Sequence, residues 1–183
     1  LRSKHPSVWM DVDDWSAGQF TARGGGQLVG AAYEILERVL PRFAHRITAC
    51  SRELQSLYPK AELVPNLIRL REVPVRNRKP AATDRIRVAF ASSVTAYHGH
   101  APFLEALVRR RRDCSQIDFW ILGDGDSLGE CRGIVERGGL GDVVHCSGQL
   151  ARAAMLQRLT EADIGVLPLW DNRLNRARFP LKL

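Results

Sequence analysis

The segment Ile121-Leu122-Gly123-Asp124-Gly125-Asp126 carries the most suggestive chemistry: an apolar strand runs into a glycine loop and then into a helix. Gly123 and Gly125 let backbone amides approach a ligand closely, and the N-terminus of the following helix favours anionic groups. A Gly-x-Gly after a strand is also an ordinary tight turn, so the motif needs company before it carries weight. Asp11-Val12-Asp13-Asp14 sets carboxylates in a D-x-D arrangement, which elsewhere holds a divalent metal and a diphosphate. Arg109 to Arg112 form a cationic run that closes a predicted helix, where cations complement the helix dipole and its free carbonyls. No aromatic residues interleave with that run, and no nucleic-acid partner is expected. His98 lies in a polar loop and reads equally as a ligand or a surface histidine, whereas His145, beside Cys146, reads as structural.

Cys50, Cys114, Cys131 and Cys146 form no CxxC pair, read as buried free thiols and fit a reducing, cytoplasmic compartment. The net charge of +7 favours polyanionic partners, but its sign does not choose among nucleic acid, anionic lipid and phosphorylated ligands. No apolar run approaches the roughly 20 residues that cross a bilayer. The opening lacks Met and the final Phe179-Pro180-Leu181-Lys182-Leu183 starts an apolar run, so the 183 residues read as a segment of a longer protein.

These residues need elements to position them. A strand is expected over Ser7 to Val12, ending in the acidic cluster. The three-and-four spacing of Leu28, Val29, Ala32, Ile35, Leu36, Val39 and Leu40 predicts an amphipathic helix that Pro41 kinks or ends. A short strand at Ile47 to Ala49 leads to Ser51 as N-cap of a helix over Arg52 to Leu57. Residues 71–84 are rich in Pro and charge and read as an interdomain linker. Beyond it, strands at Ile86–Ala91, Ile117–Leu122, Val143–Cys146 and Ile164–Leu167 alternate with helices at Ala101–Arg111, Leu128–Arg137 and Ala153–Leu159. Such alternation indicates a parallel sheet with helices on both faces, whose ligands gather at the carboxyl ends of the strands.

Four elements in order carry a resemblance. Arg46-Ile47-Thr48-Ala49-Cys50-Ser51 with Leu63-Val64-Pro65-Asn66, then Leu122-Gly123-Asp124-Gly125, then Val144-His145-Cys146-Ser147-Gly148, then Ala162 to Pro168, resemble the retaining "glycosyl transferases group 1" family of GT-B fold. The closing Phe179-Pro180-Leu181-Lys182-Leu183 is similar to the opening of that family's donor-site helix. The resemblance implies an α/β, GT-B-like architecture: a doubly wound parallel sheet (Rossmann-like) donor domain over 76–183, truncated, plus part of the acceptor domain over 1–75. It implies transfer of a sugar from a nucleotide-sugar donor to a glycan or lipid-linked acceptor with retention, with no metal and no cofactor, the donor being a substrate. It further implies a cytoplasmic location at the inner face of the membrane, with peripheral contact to anionic lipid.

On the donor side the resemblance assigns Ser92, His98, Gly99, Gly123, Asp124, Gly125, Gly148, Gln149, Leu150, Arg178 and Lys182. Lys182, with Arg176 and Arg178 as weaker candidates, would stabilise charge on the leaving diphosphate. Asp11 or Asp13 would orient acceptor hydroxyls. The chain departs from the family pattern at two places. His98 stands where a diphosphate-binding Lys is usual, with Ser92 or Ser93 at the usual Arg position, and the first position of the paired-glutamate motif falls near Ala177. The second glutamate would lie after Leu183, so no catalytic residue is assigned. These departures keep open an alternative: a catalytically degenerate nucleotide-binding module of the same fold.

Overall fold

In the computed structural model, residues 7–69, 71, 73–74 and 85–178 are described. They form two compact units, one holding the described residues up to Leu67 and from Asp171 on, the other running from Ile68 to Trp170. The expected boundary after residue 75 lies outside the described residues. The return of the chain to the first unit at Asp171 differs from the expectation of one continuous domain after that boundary, and its cause is local. Arg173 Nε donates to Glu53 Oε1 at 2.8 Å, Ser51 Oγ donates to the Ala177 carbonyl at 2.7 Å, and Ala177 is fully buried.

The first unit holds a parallel sheet in the order β1 (Trp9–Val12), β2 (Arg46–Ala49), β3 (Glu62–Leu63). Its helices are α1 (Ser16–Ala22), α2 (Gln27–Val39), α3 (Arg52–Leu57) and the terminal turn Arg173–Arg176. Ser51 caps α3 as expected: its hydroxyl accepts from the Leu54 amide at 3.2 Å, which satisfies one of the amides a helix start leaves open. Pro41 stands in the 3-10 turn Leu40–Phe43 that ends α2. Helix α1 was not expected, since Gly18 and Thr21 are weak helix formers. It forms because α2 gives it a packing partner, with the Phe20 and Tyr33 rings 5.2 Å apart. Val12, Ile47, Ala49, Leu54 and Tyr58 make the core of this unit.

The second unit is a four-stranded parallel sheet in the order β6-β5-β4-β7, with β4 at Ile86–Ala91, β5 at Ile117–Leu122, β6 at Val144–Gly148 and β7 at Ile164–Gly165. Helices α4 (His100–Arg109), α5 (Leu128–Arg137) and α6 (Arg152–Glu161) connect them. The period of two along each strand splits the core between two faces. Val88, Phe119 and Ile121 pack with Leu104 of α4 and Cys131 and Ile134 of α5, while Ala89, Ala91 and Leu122 pack with Met155 and Leu156 of α6. The doubly wound arrangement expected from the alternation is therefore present. Trp120, on the α6 face, has the guanidinium groups of Arg87 and Arg158 over its ring at 5.5 and 5.4 Å.

Candidate functional site

The carboxyl ends of β4, β5 and β6 lie side by side, and a cavity of about 700 Å³ opens there. Ser92 and Ser93 follow β4, Leu122 ends β5 and Gly123 to Gly125 follow it, and Gln149 and Leu150 follow β6; Arg152 and Met155 of α6 complete the wall. The size suits a small ligand, and the position is the one open α/β sheets use for binding.

The glycines of the loop are demanded first by its own packing. A Cβ on Gly123 would lie 1.9 Å from the Ser92 carbonyl oxygen, and one on Gly125 would lie 2.3 Å from that of Val94. The loops after β4 and β5 are sewn together by Val94 N donating to the Asp124 carbonyl and Ser127 N to the Val94 carbonyl, both at 3.0 Å. Asp124 Oδ1 accepts from Gly125 N at 2.8 Å and so stiffens the turn. The register of β5 and β6 slips after Ile121, leaving Ser147 as an extra residue whose hydroxyl donates to the Ile121 carbonyl at 3.1 Å. Gly148 then turns at a φ of 69° and bridges to Gly123, shaping the cavity without lining it.

The helix start that lines the cavity is α6, not α5. The GDG loop was expected to present ligands to the helix that follows it, yet the lining ends at Gly125, and Arg152 and Met155, three apart on the first turn of α6, face in. Among the described residues no side chain caps the N-terminus of α6. Arg152 and Met155 were missed from sequence. The signal for Arg152 was available: it opens the helix that follows Gly148-Gln149-Leu150, where the strand-end rule applies as much as it does after β5.

Of the other expected donor residues, His98 is buried within the 3-10 turn Ala96–His98, and Nδ1 lies 2.5 Å from the Ser93 carbonyl and 3.1 Å from Thr95 Oγ1. A carbonyl only accepts, so Nδ1 carries the proton, and this nitrogen fastens the loop after β4. Gly99 follows at a φ of 72°, and a Cβ there would meet the Pro168 carbonyl at 2.1 Å. Arg178 belongs to the first unit, its Nε 3.6 Å from Asp14 Oδ1, and Arg176 pairs with Glu53 and Asp171. Lys182 lies outside the described residues. Asp11 Oδ1 accepts from the Thr48 hydroxyl across the β1–β2 pair, and Asp13 is exposed. Among the described residues no three His, Cys, Asp or Glu side chains are grouped to hold a metal ion.

Cys50 and Cys131 are buried, which disfavours their thiolates. Burial, helped by Asp13 and Asp14, pushes Cys50 up to about 11, and burial pushes Cys131 up to about 11 as well. All four cysteines are free.

No family model matches the chain, and no curated protein sequence does. Solved structures do. HepE of Anabaena, in complex with UDP and glucose, matches at 16% identity and a TM-score of 0.67 over 87% of this chain and 45% of its own. Sucrose-phosphate synthase from Thermosynechococcus elongatus matches at 17% identity and a TM-score of 0.69, over 92% of this chain and 46% of its own. A TarM variant from S. aureus, in complex with Fondaparinux, alpha-GlcNAc-glycerol and UDP, matches at 13% identity and a TM-score of 0.64, over 90% and 32%. The chain thus has the GT-B-like, Rossmann-like fold of these glycosyltransferases, and it spans less than half the length of each. Among the described residues no helix is long and apolar enough to cross a membrane.

Proposed function

We propose that this chain is part of a nucleotide-sugar glycosyltransferase and that the cavity at the ends of β4, β5 and β6 receives the donor's nucleotide. The observation that carries the reading is the cavity itself, where the Gly123–Gly125 loop, Gln149 and Leu150 meet the start of α6. Backbone amides of glycine loops and an uncapped helix N-terminus suit a diphosphate, and Arg152 adds a full positive charge. HepE and the TarM variant, which share the fold, are in complex with UDP. Transfer proceeds in this reading to a glycan or lipid-linked acceptor, with retention and without a metal, in the cytoplasm at an anionic membrane face. The donor is a substrate and no cofactor takes part.

A second reading is a nucleotide-binding module without transfer. It is favoured by the loop after β4, which brings Ser92 and Ser93 to the cavity but no cation, since His98 is buried behind them. Calorimetric titration with UDP, GDP, ADP and their sugars tests both. Binding that selects one nucleotide and weakens in Arg152→Ala and Lys182→Ala supports the site; indifference to all three removes it. Release of free nucleotide from the sugar donor in the presence of EDTA separates metal-free transfer from mere binding.

A further inference from the structure

The first unit holds a second cavity, of about 640 Å³, whose lining shares no residue with the Gly123 loop site. Helix α2 packs on α1, leaving a gap between the carboxyl end of α2 and the end of α3. Ile47 and Leu57 form its apolar wall, and Trp15 and Tyr58 add aromatic surface. The Tyr58 ring is buried, and burial together with Glu37 pushes its hydroxyl up to about 12, so it stays a neutral donor and acceptor at physiological pH.

The charges around this gap do not cancel. Arg38 and Glu34 pair at 4.0 Å, Arg173 donates to Glu53 at 2.8 Å, and Glu37 Oε1 accepts from the Ala17 amide at 3.2 Å. Arg42, from the turn after α2, and Lys60, just past α3, also line the cavity, and neither has a carboxylate partner among the described residues. A cavity too large for a bare anion therefore combines two unspent cations, aromatic surface and a carboxylate held in place by a backbone amide. We infer that it binds an acidic saccharide, a sugar ring carrying a carboxylate or phosphate group. Arg42 and Lys60 take the acid. Trp15, over whose ring the Arg173 guanidinium lies at 5.2 Å, borders the sugar with its edge, and the second Glu37 oxygen accepts from a sugar hydroxyl.

The test titrates the 183-residue chain with glucuronic acid, glucose 6-phosphate, methyl glucoside and inorganic phosphate, read by tryptophan fluorescence with Trp15→Phe as the reporter control. One or both acidic sugars should bind, and their comparison tells which acid the site prefers. Methyl glucoside and inorganic phosphate should each bind at least about tenfold more weakly than the preferred sugar. Arg42→Gln and Lys60→Gln, both at exposed positions that leave the core intact, should each weaken binding about tenfold, the loss of one charged hydrogen bond. Saturating UDP should leave the binding unchanged. Silence towards both acidic sugars, equal binding of methyl glucoside or inorganic phosphate, full affinity in both charge variants, or displacement by UDP would each overturn the assignment.

Discussion

Gly123 and the Ser92 carbonyl oxygen are so close that a Cβ on the glycine would lie 1.9 Å from that oxygen. The loop after β5 is thus pressed against the loop after β4, and the cavity wall is one continuous backbone surface. Gly123→Ala and Gly125→Ala should each force the two loops apart, at about 2 kcal/mol of stability. Thermal unfolding should show the loss, and nucleotide titration should show the cavity's affinity falling with it. Unchanged melting in both variants would mean the loops are not in contact.

Ser51 does two jobs within the first unit, accepting from the Leu54 amide and donating to the Ala177 carbonyl at 2.7 Å. Ser51→Ala should cost about 1–2 kcal/mol, more than a surface cap would, because the Ala177 carbonyl is left buried without that donor. Ser51→Thr should recover most of the loss in urea unfolding, since a threonine hydroxyl caps similarly.

His100 opens α4 fully buried, its ring stacked on Phe90 at 4.0 Å. Burial first, and the neighbouring His98 second, lower its pKa from 6.5 to about 4. The folded value lies below the unfolded one, so stability is whole above pH about 6.5 and is lost as pH falls towards about 4. The full loss is on the order of 3 kcal/mol. Unfolding measured across this window should show the decline in the parent chain and a flatter profile in His100→Phe.

Leu104 is wholly buried where α4 meets Val88 and Phe119 of the sheet. Leu104→Ala should destabilise the second unit by about 2–5 kcal/mol through lost burial and the cavity left behind. Hydrogen exchange should localise the loss to β4, β5 and α4. Uniform exchange throughout the chain would show that the two units unfold as one.

Much of this architecture was legible from local patterns. Strands Ile86–Ala91 and Ile117–Leu122 and helix Leu128–Arg137 fall where apolar runs and periodicity put them, because the signals there are strong and uninterrupted. Ser51 at the start of α3 was readable because capping chemistry spans only three residues. That the Gly123-Asp124-Gly125 loop lies at the carboxyl end of the sheet was readable because it follows a strand of a parallel sheet.

What the sequence determined alone, then, was the β–α alternation, the Ser51 cap and the glycine loop at the carboxyl end of the sheet, since each depends on contacts within a few residues. Only the tertiary structure decided that α6 rather than α5 lends its first turn to the cavity, because the order β6-β5-β4-β7 sets the ends of β5 and β6 side by side. It also decided that His98 turns inward to hold Ser93, and that Arg178 sits beside Asp14 in the first unit. Both outcomes depend on where distant backbone passes a side chain, and spacing along the chain carries no record of that.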